Sequence, residues 1–143
     1  CPNQIERIES GLLSYGSDMT IKNSPFECGL GRFCEIDANS ICIGSEALEN
    51  IASQGPSKVL RYFDIKGDTI PFCHDHWPIL SNKKVGEITS GVFSSEFNTN
   101  VAIGIVEVEY ATEGTKIQIL IENELRDAFV KEKPFNPKLK PFT

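Results

Sequence analysis

Val85-Gly86-Glu87-Ile88-Thr89-Ser90-Gly91-Val92-Phe93 and Val101-Ala102-Ile103-Gly104-Ile105-Val106-Glu107-Val108-Glu109-Tyr110 are the runs that decide the fold. Both are rich in β-branched residues and bounded by turn-forming residues, the pattern of strands rather than helices. Further runs of the same kind cover 59–65, 116–121 and 125–131. The separators Lys66-Gly67-Asp68, Ser81-Asn82-Lys83-Lys84 and Thr112-Glu113-Gly114-Thr115 have turn chemistry. Five or six short strands at this spacing predict a closed or nearly closed antiparallel β-barrel, which leaves no exposed edge.

Residues before about 56 read differently. Ile5, Ile8 and Leu12 recur at helical spacing and predict one short helix, with Pro2 in its first turn and Gly11 as its stop. Ser24-Pro25-Phe26-Glu27-Cys28-Gly29-Leu30-Gly31 is a loop. A second helix fits 45–54, with Ala47, Leu48, Ile51 and Ala52 on one face and Gly55-Pro56 ending it. The fold class is therefore α+β, a short helical part over 1–55 followed by a β-barrel domain over 56–143. The Pro- and Lys-rich tail 133–143 is expected to lie extended over the surface.

Composition narrows the function classes. The chain has 143 residues, 40% hydrophobic and 24% charged, as in an ordinary globular protein. No apolar run is long enough for a membrane-spanning helix. The first residues lack the basic and apolar regions of a secretory signal, and the absent initiating Met suggests a processed or truncated chain. A net charge of −6 without a basic stripe argues against nucleic acid as a partner. The five cysteines, an odd count with no Cys-x-x-Cys pair, argue against a disulfide framework and a zinc ribbon. They read as free thiols in a reducing, cytoplasmic compartment.

Cys73-His74-Asp75-His76 is the loudest candidate metal cluster. In a strand His74 and His76 would share one face while Cys73 and Asp75 point the other way, leaving two ligands and no third. An exposed loop beside a buried Trp77-Pro78-Ile79 anchor is the better reading, and no metal is expected. Glu9 is more informative. It lies one turn past Ile5, on or beside the inward helix face, and a carboxylate there needs a partner. That partner is either Arg7, Arg32 or a backbone amide, or a ligand presenting two adjacent N–H donors.

Several stretches then carry a resemblance. Ile8-Glu9-Ser10-Gly11-Leu12-Leu13-Ser14-Tyr15-Gly16-Ser17-Asp18-Met19 resembles the R-x-E-x-G-x-x-x-Y-G-x-[DE] stretch of the glycine-cleavage T-protein (aminomethyltransferase) family. Ser24-Pro25-Phe26-Glu27-Cys28-Gly29-Leu30, Ile43-Gly44-Ser45-Glu46-Ala47-Leu48, the Thr89-Ser90-Gly91 run and Asn100-Val101-Ala102-Ile103-Gly104 match further motifs in the family's order. Within the family, the wording of 11–20, 26–32 and 97–104 is most similar to members that remove a methyl group from a sulfonium.

The resemblance implies that residues 1–55 are a short helical remnant, the C-terminal end of a folate-binding domain, and 56–143 the C-terminal barrel of a longer enzyme. The missing N-terminal half would supply the catalytic residues, so none is expected here. The cofactor implied is tetrahydrofolate and the partner a small-molecule methyl donor. The alternatives are the aminomethyltransferase itself, the folate domain of a sarcosine- or dimethylglycine-oxidising enzyme, a folate-binding accessory protein, and a barrel without a ligand. The accessory proteins' K-G-C-[YF]-x-G-Q-E signature is absent. By the resemblance Glu9 meets the pterin and Tyr15 belongs to the same motif. Lys58, where some relatives have Arg, and its neighbour Arg61 are candidates for the carboxylates of the folate glutamate tail. The Tyr that some relatives place near the C-terminus has no counterpart in Asn136-Pro137-Lys138-Leu139-Lys140-Pro141.

Overall fold

The structure, a computed structural model, describes residues 3–34, 36 and 43–136. The expectations for Pro2, Cys1, Cys42 and the tail from 137 onward lie outside the described residues. Six antiparallel strands close a barrel in the order β1-β4-β3-β2-β5-β6. They are β1 Lys58–Ile65, β2 Trp77–Ser81, β3 Lys83–Ser94, β4 Thr99–Glu107, β5 Lys116–Ile121 and β6 Glu124–Lys131. Two helices precede them, α1 Gln4–Glu9 and α2 Ser45–Gln54. Among the described residues no helix is long and apolar enough to cross a membrane.

Burial explains why the strands differ in sequence. β5 alternates cleanly: Ile117, Ile119 and Ile121 are buried while Lys116 and Gln118 are exposed, so one face meets the core and the other water. β4 is buried almost without interruption. Its Ala102 and Val106 join Phe63, Ile79, Ile88 and Ile119 inside the barrel, whereas Val101 and Ile103 join Ile8 of α1 in a second cluster on the outer wall. A strand covered on both sides reads as continuous apolar sequence, and here the cover is α1. Gly104 is fixed by close packing: a Cβ there would lie 2.5 Å from the Glu87 carbonyl oxygen of β3.

The sequence reading needs three corrections. β2 is a full strand and not merely an anchor. Pro78 removes one ladder donor and hides the pattern, yet β2 pairs with β3 along its length and with β5 at Ile79 and Leu80. Lys83 and Lys84, expected in a turn, already belong to β3, because Asn82 makes the reversal alone at φ 63°. Val108–Tyr110 is a 3₁₀ turn rather than the end of a strand. There the Val108 N–H reaches the Ser57 carbonyl, and the Ala111 N–H bonds back to the Val108 carbonyl. One residue and one helix also depart from the expected burial pattern in the first part. Leu12 is exposed although it continues the α1 stripe, because Gly11 turns the chain before the next helical turn. α2 forms at the expected residues, but none of them is buried, so its apolar face is uncovered among the described residues.

β3 carries two bulges. Ile79 faces Gly86 and Leu80 faces Lys84, skipping Val85; Ile88 faces Gly104 and Ser90 faces Ile103, skipping Thr89. The second bulge turns Thr89 and Ser90, consecutive residues, toward the same outer side, where the candidate site lies.

Candidate functional site

Asn3 caps α1 by accepting the Glu6 N–H at 2.9 Å. The helix ends at Ser10, and Gly11 takes φ 70°, where a Cβ would collide with the Tyr62 hydroxyl. This short helix therefore lies tight on the barrel wall and drives Ile8 and Glu9 inward, to 0% and 2% exposure. The Glu9 carboxylate meets neither Arg7 nor Arg32. Its Oε1 instead accepts the Ser94 hydroxyl at 2.6 Å. Ser94 Oγ itself accepts the Phe97 N–H at 3.1 Å, so its single proton is directed at Glu9. Among the described residues the Ser94 hydroxyl is the hydrogen-bond donor this carboxylate receives, and Oε2 is not one of the fully buried atoms left without a partner.

Arg7 is committed to a second buried carboxylate, Asp18. Oδ2 of Asp18 accepts Arg7 Nη1 at 2.6 Å and the Ser14 N–H at 2.9 Å. Its Oδ1 accepts Thr89 Oγ1 at 2.6 Å and Ser90 Oγ at 2.7 Å. Arg7 Nη2 also donates to Ser90 Oγ at 2.8 Å. The Thr89 bulge makes this possible by turning both hydroxyls to one acceptor. The network ties α1, the 14–18 turn and β3 into one unit beside Glu9.

Asp18 also lines a cavity of about 590 Å³ between the 17–23 segment and the first half of β3. Lys22, Lys58, Lys84, His76 and Glu87 contribute to its wall. Glu87 is engaged by Lys84 and by His76, 3.3 Å from its ring. The Lys84 hydrogen bond, helped by His76 against the opposing effect of burial, holds the Glu87 carboxyl below its usual range. The ammonium groups of Lys22 and Lys58 have no carboxylate partner among the described residues, which leaves the cavity with a local positive surplus.

The four residues singled out from the sequence are not brought together. Lys58 stands at the cavity, and Glu9 is buried at the α1–β3 contact. Arg61 is tied into the wall, with Nε on the Ala111 carbonyl at 2.8 Å and Nη1 on the Leu60 carbonyl at 2.9 Å. Tyr15 is 71% exposed and does not pack. The loop before Trp77 is irregular as expected, with Cys73 Sγ on the Asp75 carbonyl at 3.3 Å and His74 against Phe72. Burial, with Asp18 and Asp75 nearby, pushes the Cys73 thiol up to about 12. Ser94 is not singled out by the sequence, since a Ser closing an apolar strand is a weak signal; Asp18 stands at the [DE] that closes the R-x-E-x-G-x-x-x-Y-G-x-[DE] stretch, but its part as the acceptor for Arg7, Thr89 and Ser90 is seen only in the structure.

Comparison with known proteins agrees with this architecture. A family model for the glycine cleavage T-protein C-terminal barrel domain matches residues 58–136. Dimethylsulfoniopropionate demethylase of Ruegeria pomeroyi is 45% identical over 133 residues, covering 92% of this chain and 36% of the demethylase. An aminomethyltransferase of Synechococcus sp. is 35% identical over 129 residues, covering 90% of this chain and 35% of the relative. The chain thus spans about a third of the length of these relatives. The crystal structure of glycine cleavage system aminomethyltransferase T from Bartonella henselae shares the fold, with a TM-score of 0.81, 24% identity and coverage of 93% of this chain and 37% of the other. With its closed six-stranded barrel and its ordered motifs, the chain belongs to the glycine cleavage T-protein family.

Proposed function

We propose that this chain is the C-terminal portion of a tetrahydrofolate-dependent methyltransferase that demethylates dimethylsulfoniopropionate. Residues 1–55 would close the folate-binding domain and 56–143 would form the C-terminal barrel. The observation that carries the reading is Glu9: a carboxylate 2% exposed, with no cation and only one hydroxyl donor among the described residues. A carboxylate can accept several donors, and this one receives a single hydrogen bond from the described residues. A ligand presenting two parallel N–H donors, as the ring N–H and amino group of a pterin do, completes its shell.

Tetrahydrofolate supplies a nucleophilic nitrogen that accepts the methyl group. When bound it would take the methyl group from the sulfonium, whose sulfur would keep the bonding pair and leave as a neutral thioether, while the proton of that nitrogen would pass to water. A sulfonium is already a good leaving group, so the protein's task is to orient the two partners and exclude water. Glu9 holds the pterin, and Lys58 is offered for the glutamate-tail carboxylates, in agreement with its place at the cationic cavity. The structure gives Arg61 and Tyr15 weaker support, since Arg61 is spent on carbonyls and Tyr15 stands in solvent.

The sulfonium donor is favoured over an aminomethyl donor by 45% identity to the demethylase against 35% to the aminomethyltransferase. The test is a donor comparison with the full-length protein and tetrahydrofolate. Methyl-tetrahydrofolate formed from dimethylsulfoniopropionate supports the reading. Turnover only with an aminomethyl-lipoyl carrier makes the protein an aminomethyltransferase, and turnover with neither overturns both readings.

A further inference from the structure

We propose that Ser94 is a positioning residue that sets the orientation of the Glu9 carboxylate for the pterin. The proposal rests on Glu9 being the pterin acceptor and adds the device that aims it. Ser94 is 0% exposed and ends β3 on a barrel strand, a rigid support. Its hydroxyl has one proton. Because the oxygen accepts the Phe97 N–H, that proton is directed to Glu9 Oε1 at 2.6 Å. One lone pair of Oε1 is thereby occupied, which restrains the position of that oxygen and leaves the second lone pair of Oε1, with Oε2, for a two-donor ligand. The Asn136 N–H on the Glu9 carbonyl at 2.9 Å holds the backbone of the same residue. A glutamate with three side-chain torsions would otherwise lose rotamer freedom on binding, and a pre-set one loses less.

The experiment titrates tetrahydrofolate and p-aminobenzoylglutamate, the folate fragment lacking the pterin, against the full-length protein. The proteins compared are the wild type, Ser94→Ala, Glu9→Gln and the double variant. Ser94→Ala is expected to weaken tetrahydrofolate binding about tenfold and leave p-aminobenzoylglutamate unchanged. The double variant should bind like Glu9→Gln, because Ser94 acts only through Glu9. Ser94→Thr, which restores the hydroxyl, should recover most of the affinity. Equal weakening of both ligands shows a merely structural role and overturns the proposal. Unchanged tetrahydrofolate affinity in Ser94→Ala, with a loss in Glu9→Gln, overturns the proposal and spares the pterin reading. No loss in Glu9→Gln overturns both. Should Ser94→Ala fail to fold, Ser94→Cys fills the slot with a weak donor, and the same selective loss or its absence decides.

Discussion

Removing the Asp18 carboxylate gives the sharpest structural prediction. In Asp18→Ala four hydrogen bonds disappear together, from Arg7 Nη1, the Ser14 N–H, Thr89 Oγ1 and Ser90 Oγ. Arg7, whose side chain is only 14% exposed, keeps Ser90 and the Leu12 carbonyl but loses its counter-charge. Breaking a buried ion pair from one side costs about 3–5 kcal/mol. For a chain of this size that lowers Tm by roughly 10–15 °C. Asp18→Asn should cost only about 1–3 kcal/mol. Its oxygen can face Arg7 and Ser14 while its amide faces the hydroxyls, and Thr89 can donate instead to the Ile103 carbonyl, 3.2 Å away. Guanidinium unfolding measures both variants. Hydrogen exchange should show α1 opening first, since six helical residues have little stability without packing. An Ala variant within about 1 kcal/mol of the wild type, or an Asn variant as unstable as Ala, refutes the reasoning.

The remaining predictions are independent of that network. The isolated 143-residue chain should show no folate-dependent demethylation, measured as methyl-tetrahydrofolate formed; turnover by it would place the catalytic groups here. Cys73, with its thiol at about 12, should carry on the order of 10³ less thiolate than an ordinary thiol at neutral pH. Peptide mapping after iodoacetamide treatment should find it among the slowest cysteines, and rapid labelling contradicts this. Glu87 has its carboxyl held below 4.5 by Lys84, so its contribution to stability is complete above that pH and fades as pH falls through the depressed value. The gap between wild type and Glu87→Gln should close on going from about pH 6 to about pH 3, and a gap that widens would reverse the sign. Because Glu87 is 43% exposed, the effect should be below about 1 kcal/mol. Gly104→Ala, which forces a Cβ to within 2.5 Å of the Glu87 carbonyl oxygen, should cost about 1–3 kcal/mol or more in denaturant unfolding; a neutral result would mean the strands separate easily.

Most of the barrel was legible because its strands have strong local signals. β5 alternates, and the turns around Gly67 and Gly114 need positive φ. β2 escaped because Pro78 obscures a pattern that pairing with β3 restores. The tertiary polar network was not legible. Glu9 was placed on the inward face by helical spacing, but its true partner is 85 residues away in sequence, on a strand end no local pattern links to α1. Arg7 looked like a neighbour of Glu9, yet the Thr89 bulge gave Asp18 enough hydroxyl donors to claim it. A bulge is a matter of register between strands, which periodicity does not encode. α2 shows the converse: its helix was legible from capping glycine and spacing, but its burial depends on what packs against it.

The most direct measurement is a crystal structure of the full-length protein with tetrahydrofolate bound. The account predicts the pterin ring N–H and amino group each about 2.7–3.0 Å from a Glu9 carboxylate oxygen, with the Ser94 hydroxyl still on Oε1. A pterin seated elsewhere, with Glu9 touching only Ser94, contradicts it.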